Sequence, residues 1–79
     1  MKIEIHLFAT LTKYLPPGVA DNTFLMEVDQ GTPIKDIINR IGIPQADVKI
    51  IFLNGVHARD IDKLKDGDRL GIFPPIGGG

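Results

Sequence analysis

Residues 31–44 read Gly31-Thr32-Pro33-Ile34-Lys35-Asp36-Ile37-Ile38-Asn39-Arg40-Ile41-Gly42-Ile43-Pro44, and the fold turns on this stretch. Ile34, Ile37, Ile38 and Ile41 fall at i, i+3, i+4 and i+7, the spacing of one apolar stripe on a helix. Thr32 is placed to cap its first turn, with Pro33 at the first helical position, where a missing N–H costs nothing. Gly42 suits the left-handed residue that closes a helix, and Pro44 stops the helix from resuming. Isoleucine is not an ideal helix former, so burial of the stripe must stabilise this element. Lys35 and Asp36 form its polar side.

On either side of this helix the period changes to two. Residues 2–8 alternate Ile3, Ile5 and Leu7 with Lys2, Glu4 and His6, the pattern of a half-buried strand. Residues 23–29 alternate again, with Phe24, Met26 and Val28 on one face and Thr23, Leu25, Glu27 and Asp29 on the other. Between these strands Thr10 to Tyr14 predicts a short helical turn that Pro16-Pro17-Gly18 would end. Beyond Pro44, Val48 to Leu53 reads as a strand covered in part on both faces. Asn54-Gly55 is a strong hairpin signal, with Val56-His57-Ala58 as the return strand. Residues 59–68 are polar, with Ile61 and Leu64 expected to anchor in the core and Asp66-Gly67-Asp68 to make a tight turn. Arg69 to Phe73 is the last strand. The order β-β-α-β-β-β predicts an α+β domain over residues 1–73, one mixed sheet packed on one main helix through a right-handed crossover.

The chain has 79 residues, 43% apolar and 24% charged, with a formal net charge of −1. That is the composition of one small globular domain, which buries only about 60–65% of the surface its unfolded chain exposes. Charge of both signs is interspersed, which argues against a nucleic-acid partner bound by phosphate neutralisation and against polybasic attachment to a membrane. There is no cysteine, which excludes disulfides, thiol nucleophiles and cysteine-ligated zinc. No apolar run approaches the roughly 18–20 residues of a membrane-spanning helix, and Met1-Lys2-Ile3-Glu4 opens directly into a strand pattern. A cytoplasmic protein is the expectation.

The sequence closes on Phe73-Pro74-Pro75-Ile76-Gly77-Gly78-Gly79, a strand end, a proline pair and three glycines. Glycines carry no side chain to pack, so residues 74–79 read as a flexible tail able to thread into another protein's active site. With the order of elements, Gly31-Thr32-Pro33, Leu53-Asn54-Gly55 and Asp66-Gly67-Asp68, this ending resembles the ubiquitin-like β-grasp sulfur carriers, the MoaD/ThiS-like family. Within it the sequence looks most like the small subunit of molybdopterin synthase, with the thiamine-pathway carrier as a cousin. The first three motifs are individually weak; the Phe-Pro-Pro-x-x-Gly-Gly ending is specific.

The resemblance implies a chemistry centred on the terminal carboxylate of Gly79. A carboxylate is a poor acyl donor until an ATP-dependent, E1-like adenylating enzyme turns it into an acyl-adenylate. A sulfur donor then displaces AMP and leaves a thiocarboxylate, which passes its sulfur to a small-molecule intermediate inside the large catalytic subunit of molybdopterin synthase. The carrier is then a subunit and not an enzyme by itself, with no cofactor bound and ATP used by its partner. Bare Gly78 and Gly79 leave the reacting carbonyl unobstructed, and Pro74-Pro75 would hold the base of the tail extended. The resemblance also places Phe8 and Phe73 among the apolar surface residues that meet partner enzymes. His57 stands at a third such position, where the family more often has an apolar residue, and Gly77 where it often has a small non-glycine residue. Pro74, Pro75, Ile76 and Gly77 would make the remaining contacts to partners.

Parity supports surface positions for Phe8 and Phe73, since each lies opposite the Ile/Leu face of its own strand. His6 and His57 lack any neighbouring ligand motif and read as surface residues, not a metal site. Asp60, Asp62, Asp66 and Asp68 lack the Gly-x5-Glu continuation of an EF-hand, and Lys63 and Lys65 interrupt them, so they read as a solvated loop with turn aspartates. No nucleophile–base pair stands out. The same ending also serves a thiamine or other thiocarboxylate pathway, or a ubiquitin-like modifier joined to lysines of other proteins. A passive β-grasp interaction domain is the third alternative.

Overall fold

The isoleucine stripe closes on a sheet. In the computed structural model, which describes residues 1–75, helix α1 spans Ile34–Ile41. Ile34 and Ile37 are fully buried, Ile38 nearly so, and Ile41 packs at the margin of the core. Poor propensity costs at most about 0.7 kcal/mol per isoleucine, while full burial of one contributes about 1.5–3 kcal/mol. Burial decides the matter.

The five strands are β1 (Lys2–Leu7), β2 (Thr23–Glu27), β3 (Ile50–Leu53), β4 (Val56–Ala58) and β5 (Arg69–Phe73). They lie side by side in the order β2-β1-β5-β3-β4. β1 and β5 run parallel at the centre, and the other pairings are antiparallel. Ile3, Ile5, Leu7, Ile51, Leu70 and Ile72 point into the core with the helix stripe. Phe24 and Met26, opposite Ile5 and Ile3, are half-buried on that same face, as the alternation of β2 predicts. The α+β architecture and the β-β-α-β-β-β order read from the sequence are those of the structure.

Local chemistry explains the element boundaries. The helix ends in a Schellman arrangement. Gly42 has φ +94°, its N–H donates to the Ile38 and Asn39 carbonyls, and the Ile43 N–H reaches back to Ile38 at 3.1 Å. Ile43 and Ile38 are both buried, the apolar contact that accompanies this closure. The β3–β4 hairpin turns on Asn54 and Gly55, both with positive φ, the signature of a type I′ turn.

Several expectations need correction. Helix α1 starts one residue later than expected, with Pro33 in the capping position and no side-chain cap. The Thr32 hydroxyl donates instead to the Asp29 carbonyl at 2.7 Å. The first helical N–H groups find distant backbone acceptors, Ile34 on the Asp62 carbonyl at 3.0 Å and Lys35 on the Asp60 carbonyl at 2.8 Å. With these donors satisfied by the 59–64 loop, a hydroxyl cap is redundant.

The same loop turns Ile61 outward, 52% exposed, and Leu64 alone is the buried anchor. The Arg59 N–H donates to an Asp62 carboxylate oxygen and the Asp62 N–H to the Arg59 carbonyl, a tight bend with Ile61 inside it. Asp68 is buried, not solvated. Its carboxylate accepts from the Asn54 side-chain amide at 2.9 Å and from the Lys65 N–H at 2.7 Å. The third strand begins at Ile50, because Gln45–Asp47 form a 3-10 turn first. The short helix expected over Thr10 to Tyr14 is a 3-10 segment, Ala9–Tyr14, pinned by buried Leu11.

Candidate docking face and functional tail

The sheet has one face under the helix and one without cover. On the uncovered face the strand registers place Thr23, His6, Gly71, Phe52 and His57 in one row across all five strands. Phe8, Phe73 and Ile50 stand beside that row, towards the end at which β5 finishes. Phe8 and Phe73 thus occupy the outward parity read from the sequence. They are half-buried rather than fully exposed, because they cover each other.

Their rings stack face to face, centroids 3.9 Å apart and 6° from parallel. His6 stacks on the other side of Phe8 at 4.1 Å. Phe52 meets Phe73 edge-on at 5.6 Å and His57 edge-on at 5.9 Å. Each such pair stabilises by about 0.5–1.5 kcal/mol beyond area burial. The cluster is therefore a preformed platform and not a set of loose side chains. A shallow hollow of about 440 Å³ lies over it, lined by His6, Phe8, Phe52, Gly71 and Phe73, with Glu4 and Arg69 at its polar rim.

Gly71 gives the Phe8 ring its clearance. A Cβ at this position would come within 3.3 Å of the Phe8 ring. Gly71, Phe52 and His6 were not singled out in the sequence as site residues. The available signal was an isolated glycine inside a strand, which marks close approach of another group, together with the outward parity of Phe52.

The platform sits beside the end of β5. The Phe73 carbonyl accepts from the Lys49 N–H at 2.8 Å, and the Phe8 N–H donates to the Ile72 carbonyl at 3.2 Å, fixing the end of β5. Pro74 is buried against the body and Pro75 is exposed. Ile76, Gly77, Gly78 and Gly79 lie outside the described residues. Among the described residues no three His, Cys, Asp or Glu side chains converge as metal ligands, and no helix is long and apolar enough to cross a membrane.

A five-stranded mixed sheet grasping one main helix, with β1 and β5 parallel at its centre, defines a ubiquitin-like β-grasp protein. The chain belongs to the Mut7-C ubiquitin family, whose model matches residues 1–77. Among solved structures it is similar to a putative molybdopterin converting factor subunit 1 from Pyrococcus furiosus. Identity there is 27%, coverage 95% of this chain and 98% of the other, and TM-score 0.70. SAMP1 of Haloferax volcanii matches over 100% of both chains at 22% identity with a TM-score of 0.74. A complex of subunits 1 and 2 of the molybdopterin-converting factor from Helicobacter pylori contains a chain matched over 100% of both at 22% identity, TM-score 0.63. At 22% these last two speak for the fold alone. No curated protein is similar enough to count as a relative.

Proposed function

We propose that this protein is a sulfur carrier, adenylated and then thiocarboxylated at Gly79, that donates sulfur in molybdopterin (molybdenum or tungsten cofactor) synthesis. The observation that supports it best is positional. A preformed aromatic platform stands where β5 hands over to Pro75-Ile76-Gly77-Gly78-Gly79, so one approach by a partner engages both a docking face and a slender chain end.

The chemistry balances with partners of known class. The Gly79 carboxylate attacks the α-phosphate of ATP on an E1-like enzyme, giving acyl-adenylate and pyrophosphate. The terminal sulfur of a donor persulfide attacks the carbonyl and expels AMP. A second thiol then cleaves the resulting acyl disulfide, leaving thiocarboxylate on Gly79 and a disulfide on the donor side. In the large catalytic subunit the thiocarboxylate sulfur attacks a substrate carbon and displaces its oxygen substituent, so that a C–O bond breaks as the C–S bond of a thioester forms. Water then hydrolyses the thioester, leaving sulfur on the product and carboxylate on Gly79. The carrier supplies geometry and no catalytic side chain, and its setting is cytoplasmic, where ATP and thiol donors are at hand.

Intact-mass spectrometry tests the reading. Incubation with ATP, a sulfur source and the host's activating enzyme is expected to exchange one oxygen for sulfur at Gly79. Deleting Gly78-Gly79 should abolish both the exchange and cofactor synthesis. Cofactor synthesis that persists in the deletion strain sinks the proposal. Isopeptide conjugates that vanish with the tail would reassign the protein as a modifier.

A further inference from the structure

Among the described residues the core is most thinly covered in one place. Of the buried apolar residues, the three least covered are Ile38, Ile51 and Ala58, at 6%, 6% and 9% exposed. All three line one groove of about 330 Å³ between α1 and the β3–β4 edge of the sheet. The groove opens on the helix side of the sheet and meets the aromatic platform at His57.

Two further features of the groove are unpartnered. β4 is an edge strand, and in the two-residue hairpin Leu53 and Val56 form the hydrogen-bonded pair next to the turn. Alternation then makes Phe52 and His57 a non-bonded pair, so the His57 N–H and C=O point away from β3 to the free edge. Neither group makes a hydrogen bond among the described residues. The opposite edge of the sheet is tied at its two ends. In β2 the Thr23 N–H donates to the Asp21 carboxylate and the Glu27 carbonyl accepts from Arg40. β4 carries no such ties, and its protection as an edge is its length of three residues.

The second feature is charge. Lys35, Lys49 and Arg59 stand around the groove with Asp60 as its single acid. None of the three cations is in an ion pair among the described residues, where the one ion pair joins the Met1 amino group to Glu27. The rim is therefore positive on a chain whose net charge is −1.

We propose that this groove is a second docking site, which takes an extended, acid-flanked segment of a partner protein as an added strand on β4. The segment's backbone pairs with the free N–H and C=O of His57. Its alternate apolar side chains enter the groove over Ile38, Ile51 and Ala58, and its flanking carboxylates meet Lys35, Lys49 and Arg59. This is strand addition, in which main-chain bonds supply affinity and alternate pockets supply specificity. Two main-chain bonds make a short splice, so the complex is a weak one, with a Kd of about 10–100 μM. The inference does not depend on the chemistry at Gly79.

The probe is a labelled peptide, Asp-Asp-Val-Thr-Ile-Thr-Val-Asp-Asp, titrated into the full chain and followed by fluorescence anisotropy and amide NMR. Saturable binding is expected, with shift changes confined to residues 35–39, 45–51 and 56–60 and slowed exchange of the His57 amide. Two controls separate its components. The same peptide with both threonines replaced by proline lacks the N–H that faces His57 and should bind at least tenfold more weakly. The Lys35→Glu, Lys49→Glu, Arg59→Glu protein should lose at least tenfold in affinity while its amide spectrum elsewhere, and its thiocarboxylation by mass, stay unchanged. No binding at millimolar peptide, equal binding of the proline peptide, or shifts centred on Phe8 and Phe73 would each overturn the assignment.

Discussion

Gly71 and Phe8 show how one missing methyl group sets a surface. The backbone of Gly71 is ordinary strand, so the glycine is there for clearance and not for conformational freedom. Phe8 lies over it, held between His6 and Phe73. In Gly71→Val the branched side chain would meet the Phe8 ring and lift it from Phe73. The gain in strand propensity is of the same order as the lost stacking, about 1 kcal/mol each. We therefore expect a melting temperature within a few degrees of the parent, but ring-proton shifts of Phe8 and Phe73 moving towards unstacked values. Unchanged ring shifts in the valine variant would show that the platform does not depend on Gly71. The outward parity of Phe8 and Phe73 was legible from alternation alone. Their mutual stacking was not, because it depends on β1 and β5 being neighbours, a pairing between residues far apart in sequence.

Elements are held here by groups that sequence distance conceals. Helix α1 was legible from its isoleucine period and its closing glycine, both local. Its beginning was not, because the acceptors for its first N–H groups are the Asp60 and Asp62 carbonyls, more than twenty residues downstream. Asp68 is a second case. It read as a turn aspartate, yet its carboxylate ties the turn before β5 to Asn54 of the β3–β4 hairpin. Asn54 completes the tie by accepting from the Arg69 N–H at 2.8 Å, while its own backbone N–H donates to the Arg69 carbonyl. Asp68→Ala removes two bonds to a buried carboxylate, a net loss of about 2 kcal/mol once the freed donors gain water. In a domain of this size that lowers the melting temperature by roughly 8–16 °C. Asp68→Asn keeps one acceptor oxygen and should fall between the two. A melting curve for Asp68→Ala that overlays the parent would remove the tie from the account of how hairpin and β5 are joined.

At the scale of the whole molecule, the sheet separates two surfaces. The aromatic platform lies on the uncovered face beside the end of β5, and the α1–β4 groove opens on the helix side. Phe8 and Phe73 stack with other platform rings and stand outside the core cluster, so replacing them removes little of the core under α1. Aromatic residues at the centre of an interface commonly contribute 2 kcal/mol or more to binding, about 30-fold in affinity. On the sulfur-carrier reading, Phe8→Ser and Phe73→Ser should each raise the KM of the activating enzyme for the carrier by at least tenfold. Because Gly79 and the bare glycines before it are untouched, kcat for adenylation should stay within about twofold. The Lys35, Lys49 and Arg59 charge reversals should leave both constants alone, and combined with Phe8→Ser they should add nothing further, as expected for sites with no shared partners. A fall in kcat without a change in KM would place the two phenylalanines in ordering the tail and not in docking. An effect of the charge reversals on KM would show that the activating enzyme wraps around the sheet edge and reads both surfaces at once.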